Sequence, residues 1–322
     1  MTLSKDLLLR IYRDMVRTRT LDYQMIKNAQ SGKMSPGWHS GLGEETIVGP
    51  VALLRKDDYV TYTHRGAYVW LAKDMEMKEI IAEFYGKATG CACGKGGTHI
   101  AKPSLGIFGR SGMQGGHFPL AAGMGIAAQM RGKGQVVLSF FGDGCATRAP
   151  LHEAMNYASI WKLPVLWFCE NNGQSMSVKL NKSWAIKDIA QIAGSYAMPG
   201  RTIKDGNDVV AVTEAAQEFL DRARRGEGPA LLEIKTYRWR GHYEGDPMLY
   251  RTKQEIDEWM KKDPVKRFEQ VLLGQGALTQ EDIQRIQTEA DAEVVEAQKF
   301  AEESPDPLPE DAFNAIYATT HS

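Results

Sequence analysis

The sequence predicts an α/β protein in which a parallel sheet is flanked by helices, and the order of its apolar segments is the reason. Two short apolar runs, 135–141 and 165–169, are separated by a helix-like segment at 150–162. A third run, "PALLEIKTYRW", follows another helical segment at 208–225. Strands that alternate with helices of this length pair in parallel, and helices cover both faces of the sheet.

A helical extension is expected before the α/β part. Ser4 can cap a helix whose apolar positions recur every three or four residues as far as Ser31-Gly32. We therefore predict an N-terminal helical extension over residues 1–34. Glycine-rich segments predict loops, and the sequence "KEIIAEFYGKA" between two of them predicts a helix; the loops are at 37–43, 94–98 and 109–116.

The remaining elements follow the same reasoning. Pro150 suits the first turn of the helix after the first strand. The sequence "GRTIKDGND" predicts a short strand and places Asn207 as the cap of helix 208–225. Residues 252–322 are expected to form polar-rich C-terminal helices followed by a tail, with Thr279 and Asp282 spaced as a capping box. Without repeats or a low-complexity linker, 1–322 is expected to form a single domain.

Composition excludes several classes of function. A chain of 322 residues with a formal net charge of −1 has no basic excess for nucleic acid, and we find no apolar run that could span a bilayer. Charges at Asp6, Arg10 and Asp14 exclude a signal peptide. Four cysteines are too few for a disulfide scaffold, which predicts reduced thiols and a cytoplasmic protein. "CAC" at 91–93 has no second pair at zinc spacing, so we interpret it as thiols in a loop.

The most informative feature is an acid between two glycines at a strand end. Asp143 follows the first apolar run in "FFGDGCATRAP", and Asn172 ends the next one in "VLWFCENN". Parallel neighbouring strands carry their following loops to the same edge, where ligands bind. Carboxylate and amide oxygens suit Mg²⁺, and backbone amides at 144–146, ahead of a helix, suit phosphates. The residues alone therefore predict a magnesium-diphosphate site.

These motifs resemble a known family. "GDG…ENN" is similar to the thiamine diphosphate motif, and the chain resembles the alpha subunits of the first component of 2-oxo acid dehydrogenases. "GWHSGLGEE", "THRG", "FPLAAGMGIAA" and "RWRGHYEGDP" occur in the family's order over nearly the whole chain. The last motif looks most like the acetoin dehydrogenase branch. The resemblance implies the thiamine-diphosphate-binding fold, specifically its diphosphate-binding domain.

The resemblance assigns roles to individual residues. Three would hold Mg²⁺ through a carboxylate, an amide and a backbone carbonyl, namely Asp143, Asn172 and Gln174. Backbone or cationic groups would contact the diphosphate at Gly144, Cys145, His64 and Arg65. Gly112 and Gln114 would bind the aminopyrimidine ring through their backbone. His242, on a loop that orders with the cofactor, and His39, near the substrate, would be catalytic, although His39 equally fits a hydrogen-bonded structural role.

The resemblance also implies partners and a reaction. The chain would be the alpha subunit of an enzyme that uses thiamine diphosphate and Mg²⁺ to cleave acetoin or a related 2-oxo compound. A beta subunit would complete a heterotetramer of two alpha and two beta chains and supply an activating glutamate. The acyl unit would pass to a lipoyl acyltransferase. The alternatives are a decarboxylase or carboligase subunit and a non-catalytic scaffold. A dinucleotide-binding enzyme is disfavoured, because this sequence has no Gly-x-Gly-x-x-Gly motif after the first strand of a βαβ unit.

The chain departs from the family at several positions. Those on the substrate and ring side are Ala67, His99, Gln114, His117 and Arg148. Ala67 stands where a second histidine is usual, and Gln114 where an apolar residue props the cofactor. We expect these changes to alter the substrate or the fate of the acyl unit, with bulky Tyr68 and Trp70 reshaping the pocket.

Overall fold

The computed structural model describes residues 3–34 and 37–314. Eleven α-helices lie within these ranges. They are α1 Lys5–Gln30, α2 Val48–Ala52, α3 Ala67–Ala72, α4 Met77–Phe84, α5 His117–Arg131, α6 Ala149–Ile160, α7 Leu180–Ser183, α8 Val209–Arg224, α9 Lys253–Met260, α10 Pro264–Gly274 and α11 Gln280–Glu303. Single turns of 3₁₀-helix connect several of them, including Cys145–Thr147 after the GDG motif.

A parallel sheet lies at the centre, which confirms the predicted fold class. Its strands are β1 Tyr59–Thr61, β2 Val137–Gly142, β3 Val165–Asn171, β6 Gly200–Ile203 and β7 Ala230–Lys235. Their order across the sheet is β1-β2-β3-β7-β6, with every neighbouring pair parallel. A short antiparallel hairpin, β4 Gln174–Ser175 with β5 Val178–Lys179, follows β3. β2 and β3 are adjacent, as predicted.

The sheet separates two apolar cores, and successive side chains along each strand alternate between them. On one face, Phe140 and Phe168 belong to the larger core, which also contains side chains from α1, α8 and α11. On the other face, Phe141 and Trp167 pack with α5 and α6. Burial on both faces explains why these strands read as continuous apolar runs in the sequence.

The helix boundaries confirm most of the predicted signals. Ser4 accepts a hydrogen bond from the backbone N–H of Leu7, and Thr279 with Asp282 forms the capping box of α11. Asn207 is not the cap of α8, so that prediction was wrong. Asp208 takes this role by accepting hydrogen bonds from two backbone amides of the first turn. The amide of Asn207 instead donates to the backbone carbonyl of Lys262.

Two elements differ from the sequence expectation. β1 was not predicted, because three residues are too short to show a periodic pattern. β7 ends at Lys235, so "TYRW" at 236–239 forms a loop over the carboxyl edge of the sheet rather than continuing the strand. The N- and C-terminal helices pack together, with an ion pair of 2.7 Å between Arg17 and Glu293. Within the described ranges, every helix is too short or too polar to cross a membrane.

Candidate active site at the carboxyl edge of the sheet

A cavity opens where β2 and β3 end. The loops after these two strands, the segment after β1 and the loop after β7 line it together. The cavity is lined by Tyr62, Thr63, His64, Arg65, Arg110, Ser111, Gln114, His117, Phe141, Gly142, Asp143, Gly144, Cys145, Arg148, Glu170, Asn172, Gln174, Ser175, Met176, Arg238 and His242. This is the edge at which open parallel sheets bind ligands.

The three residues expected to hold magnesium all line this cavity. The Oδ2 atom of Asp143 is buried and has no hydrogen-bond partner. The side-chain Nδ2 of Asn172 donates to Glu44 at 3.1 Å, which fixes the orientation of the amide and makes Oδ1 its acceptor atom. Nη1 of Arg238 donates to the carbonyl of Gln174 at 3.2 Å and lies 3.4 Å from Oδ1 of Asn172. Three oxygens of the kind Mg²⁺ prefers are thus present, and a cation already contacts two of them.

The electrostatics of Asp143 agree with this interpretation. Burial raises the pKa of its carboxyl from 3.8 to about 6, although the nearby charge of Arg238 opposes the shift. A buried carboxylate oxygen without a donor is costly, and a bound cation would compensate that cost. The donor set therefore fits a divalent metal.

The surroundings of Arg65 suit a bound anion. Its side chain is 3% exposed, and its Nε lies 3.3 Å from Glu44. Nη1 of this guanidinium is buried without a hydrogen-bond partner, whereas Nη2 donates to the carbonyl of His242 at 3.2 Å. Burial and the neighbouring Arg238 lower the pKa of Arg65 to about 10, which leaves it charged at neutral pH. A forked cation in a cavity, with Nη1 still free to donate, suits a phosphate group.

The second glycine of the GDG motif is required by close packing. A Cβ atom on Gly144 would lie 2.2 Å from Oγ of Ser175, on the hairpin that carries Gln174. A Cβ atom on Gly142 would meet nothing closer than 3.9 Å. Gly144 thus lets the hairpin approach the end of β2, while Gly142 is not constrained by packing within this chain.

Three histidines converge beside the cavity from three separate segments. The ring centroids of His39 and His64 are 4.4 Å apart. The ring centroid of His242 lies 5.1 Å from that of His39 and 4.8 Å from that of His64. Nδ1 of His39 lies 2.6 Å from the carbonyl oxygen of His242, and since a carbonyl only accepts, that nitrogen carries the proton. Burial and the charge of Arg65 lower the pKa of His39 and of His242 to about 3. Both rings are therefore neutral at pH 7.

The structure brings together most of the residues singled out in the sequence. Nine of the eleven lie on the cavity, the exceptions being His39 and Gly112. His39 contacts the cavity only through His242 and His64, so its placement accommodates both roles left open for it. Gly112 is exposed and lies outside the lining, although Ser111 beside it belongs to the lining.

The departures from the family divide into two groups. Gln114, His117 and Arg148 line the cavity. His99 is exposed, and its Nε2 lies 3.2 Å from Arg110. Ala67 is buried at the start of α3 and does not line the cavity.

The expectation that Tyr68 and Trp70 reshape the pocket was wrong. Both are 1% exposed and neither lines the cavity. Tyr68 packs so tightly on the backbone of Gly41 that a Cβ there would lie 1.6 Å from its hydroxyl. Trp70 packs edge-on against Trp38 and Tyr62. The large side chains after Ala67 fill the core because α3 directs them away from the cavity.

Several functional-site residues were not found by sequence reasoning. Glu44 is fully buried and contacts both Arg65 and Asn172, so it orients two of the predicted site residues. The sequence feature that could have indicated Glu44 is the pair of acids that ends "GWHSGLGEE". Arg238 was hidden in an apolar run that read as strand, and Glu170 in the strand just before Asn172. Burial raises the pKa of Glu170 to about 8, so it is mostly protonated at neutral pH.

Comparison with known proteins identifies the family. The model of the dehydrogenase E1 component matches residues 12–310. The alpha subunit of acetoin:2,6-dichlorophenolindophenol oxidoreductase from Bacillus subtilis is 36% identical over 99% of this chain and 96% of its own length. Its counterpart from Cupriavidus necator is 37% identical over 98% and 96%. The pyruvate dehydrogenase E1 alpha subunit of Porphyra purpurea is 32% identical over 95% and 91%. The chain therefore belongs to the dehydrogenase E1 component family.

Proposed function

We propose that this chain is the alpha subunit of a thiamine-diphosphate-dependent oxidoreductase that cleaves acetoin or a related 2-oxo compound. The observation that carries the proposal is the buried, unpartnered Oδ2 of Asp143 at the end of β2, beside the oxygens of Asn172 and Gln174. The names of the relatives from Bacillus subtilis and Cupriavidus necator favour acetoin among the substrates. We also infer one cytoplasmic α/β domain, since α1 and α11 share a core with the sheet and all four thiols are unpaired.

The residues present suit the cofactor's charged end. Asp143, Asn172 and the carbonyl of Gln174 would hold Mg²⁺, and Arg65 would bind the diphosphate. The backbone of Gly144 and Cys145, in a turn that precedes α6, would add amide donors. When bound, thiamine diphosphate supplies the electron sink that lets a bond next to a carbonyl break.

The histidines supply proton acceptors next to that site. The Nδ1 atom of His242 is buried without a hydrogen-bond partner, and its ring is neutral at pH 7. His242 could therefore accept a proton from a substrate hydroxyl in the cavity. His39 holds the backbone of His242 through its hydrogen bond to the carbonyl, so it positions the loop as well as facing the site. Arg65 donates to the same carbonyl, which ties diphosphate binding to the placement of His242.

An exposed apolar surface supports a partner subunit. We call it the α5–α6 surface, and it consists of Leu120, Gly123, Met130, Tyr157, Ile160 and Trp161. Met130 is 83% and Ile160 61% exposed, and a Cβ atom on Gly123 would meet nothing within 4 Å in residues 3–34 and 37–314. A glycine in mid-helix costs stability, so close approach of another chain accounts for it. We propose that a beta subunit covers this surface in a heterotetramer, and that a lipoyl acyltransferase receives the acyl unit.

Activity of the assembled protein tests this function. The chain would be co-expressed with its candidate beta subunit and supplied with thiamine diphosphate and Mg²⁺. Acetoin, pyruvate and branched 2-oxo acids would be assayed with an artificial electron acceptor. Turnover of at least one substrate that Asp143→Ala abolishes is the expected result. Release of CO₂ or a new carbon–carbon bond without electron transfer would instead indicate a decarboxylase or carboligase. Stoichiometric cofactor binding without turnover would indicate a scaffold.

A further inference from the structure

We propose that His39, His64 and His242 form a second metal site, which takes a borderline cation such as Zn²⁺ or Co²⁺ and is distinct from the magnesium site. One ring nitrogen from each histidine lies within 4.8 Å of the other two. The three come from different segments, after α1, after β1 and after β7, so the cluster is created by the fold rather than by sequence spacing.

The free nitrogens point to a ligand. Nε2 of His64 and Nδ1 of His242 are buried without hydrogen-bond partners. A buried polar nitrogen that is left unpaired is costly, and metal coordination would satisfy both atoms. The magnesium site does not use them, because Mg²⁺ prefers oxygen ligands.

His39 already has the arrangement of a metal-bound histidine. Its Nδ1–H donates to the carbonyl of His242 at 2.6 Å, which fixes the tautomer and leaves the lone pair on Nε2. Metal-binding histidines commonly donate their other ring N–H to a backbone carbonyl in this way. The lowered pKa values of all three imidazoles mean that no proton must leave before a metal binds at neutral pH.

The separation of the nitrogens and the nearby charge of Arg65 determine how a metal ion would fit between the three histidines. In a tetrahedral zinc site with Zn–N bonds near 2.1 Å, ligand nitrogens are about 3.4 Å apart, so the widest separation in the cluster must shrink from 4.8 Å by roughly 1.4 Å. Because the backbone of His242 is held by hydrogen bonds from His39 and Arg65, rotation of the histidine side chains would have to provide this movement. The charge of Arg65 opposes a dication, but Arg65 is paired with Glu44 at 3.3 Å. With three imidazoles the fourth position stays open for water.

Occupation of this site would block the cavity. A cation held by His64 and His242 would fix two residues of the cavity lining and remove the free nitrogen of His242. Inhibition of turnover by zinc would follow, and that consequence alone rests on the proposed function. Metal binding is therefore measured on the isolated full chain, where its failure would leave the proposed function untouched.

Titration with Co²⁺ tests the site, because tetrahedral Co²⁺ has intense visible absorption. We expect one equivalent to bind and develop this spectrum, with Zn²⁺ displacing it and millimolar Mg²⁺ leaving it unchanged. His39→Gln keeps an amide donor for the carbonyl of His242 but removes the ligand, and should weaken Co²⁺ binding at least tenfold. His64→Gln should also weaken Co²⁺ binding at least tenfold. With two independent variants, a folding defect in one of them does not decide the result.

Three variants serve as matched controls. His152→Ala removes a histidine that contacts only the Tyr196 hydroxyl on another face, at 2.7 Å. Cys93→Ser tests the exposed thiol, and Asp143→Asn tests the magnesium site. All three should keep the Co²⁺ spectrum. Its loss in Cys93→Ser or Asp143→Asn, its retention in both His39→Gln and His64→Gln, or the absence of binding in the wild type would each overturn the proposal.

Discussion

The guanidinium of Arg238 donates through Nη1 to the backbone carbonyl of Gln174 at 3.2 Å, and through Nη2 to the carbonyl of Met176 at 2.7 Å. Arg238 is 1% exposed, and its bond to Gln174 is buried while its bond to Met176 is partly buried. It thereby holds the β4–β5 hairpin that carries one of the oxygens expected to bind magnesium. The buried guanidinium of Arg238 is therefore part of the framework of the proposed metal site.

Arg238→Met should destabilise the protein by about 2–4 kcal/mol, since it removes the Arg238 donor from the buried carbonyl of Gln174 and from the partly buried carbonyl of Met176. Chemical denaturation measures the effect. Arg285→Met is the matched control, because Arg285 is exposed and pairs with the exposed carboxylates of Asp282 and Glu289. That variant should change the free energy of unfolding by less than about 1 kcal/mol. Equal effects of the two substitutions would contradict the structural role of Arg238.

The two glycines of the GDG motif should respond differently to alanine. Gly144→Ala places a Cβ atom 2.2 Å from Oγ of Ser175 and should cost about 1–3 kcal/mol by displacing the hairpin. Gly142→Ala meets only the carbonyl of Glu170 at 3.9 Å and should stay within about 0.5 kcal/mol of the wild type. Thermal unfolding of both variants without cofactor tests this ranking, and the reverse order would refute it.

Asp22 should make stability depend on pH. Its buried carboxyl accepts hydrogen bonds from Nε1 of Trp38 and the amide of Gly41, both at 2.7 Å, and burial raises its pKa from 3.8 to about 7. Because the folded pKa lies above the unfolded value, protonation favours the folded state. This stabilisation is complete below pH 3.8 and is lost as the pH rises to about 7.

The free energy of unfolding should therefore fall by on the order of 2 kcal/mol between pH 5 and 7. Urea denaturation across this range measures the slope. Asp22→Asn cannot titrate, so the slope should become smaller by that amount in this variant. An unchanged slope would assign the pH dependence to other groups.

Gly123→Leu should weaken assembly without weakening the fold. Gly123 is exposed and a Cβ atom there would meet no atom of the described residues within 4 Å, so the stability of the isolated chain should be unchanged or higher. Association with the beta subunit should weaken at least tenfold if the partner covers the α5–α6 surface. Gly274→Leu on α10 also meets nothing within 4 Å and should leave association unchanged. Sedimentation of mixed subunits distinguishes the two, and equal association of both variants would place the partner elsewhere.

The sequence predicted the part of the fold that depends on local pattern. Buried parallel strands show as apolar runs, and so β2, β3 and β7 were found together with the helices between them. β1 was missed because a strand of three residues carries no period. Asn207 and Asp208 are both good caps, and only the backbone conformation decides between them.

The sequence predicted the site residues that belong to a local motif. It did not predict the residues that reach the site through contacts between distant parts of the chain. Asp143 and Asn172 stand at strand ends, so topology alone brings them together. Glu44 reaches Asn172 across 128 positions in the chain, and Arg238 reaches Gln174 across 64. No local pattern records such pairs. Tyr68 and Trp70 were misjudged for a related reason, because the turn of α3 decides which neighbours of Ala67 face the core.

We infer that Asp143 binds the magnesium of a diphosphate cofactor. Removing its charge should relieve the cost of a buried, unpartnered carboxylate oxygen. Asp143→Asn should therefore unfold without cofactor at the same temperature as the wild type or higher. The same variant should lose most of its affinity for the cofactor.

Calorimetric titration of thiamine diphosphate into the assembled alpha and beta subunits, with and without Mg²⁺, tests this claim most directly. We predict that the wild type binds the cofactor only with Mg²⁺ and that Asp143→Asn binds it at least a hundredfold more weakly. Binding by Asp143→Asn with wild-type affinity and the same dependence on Mg²⁺ would contradict the account.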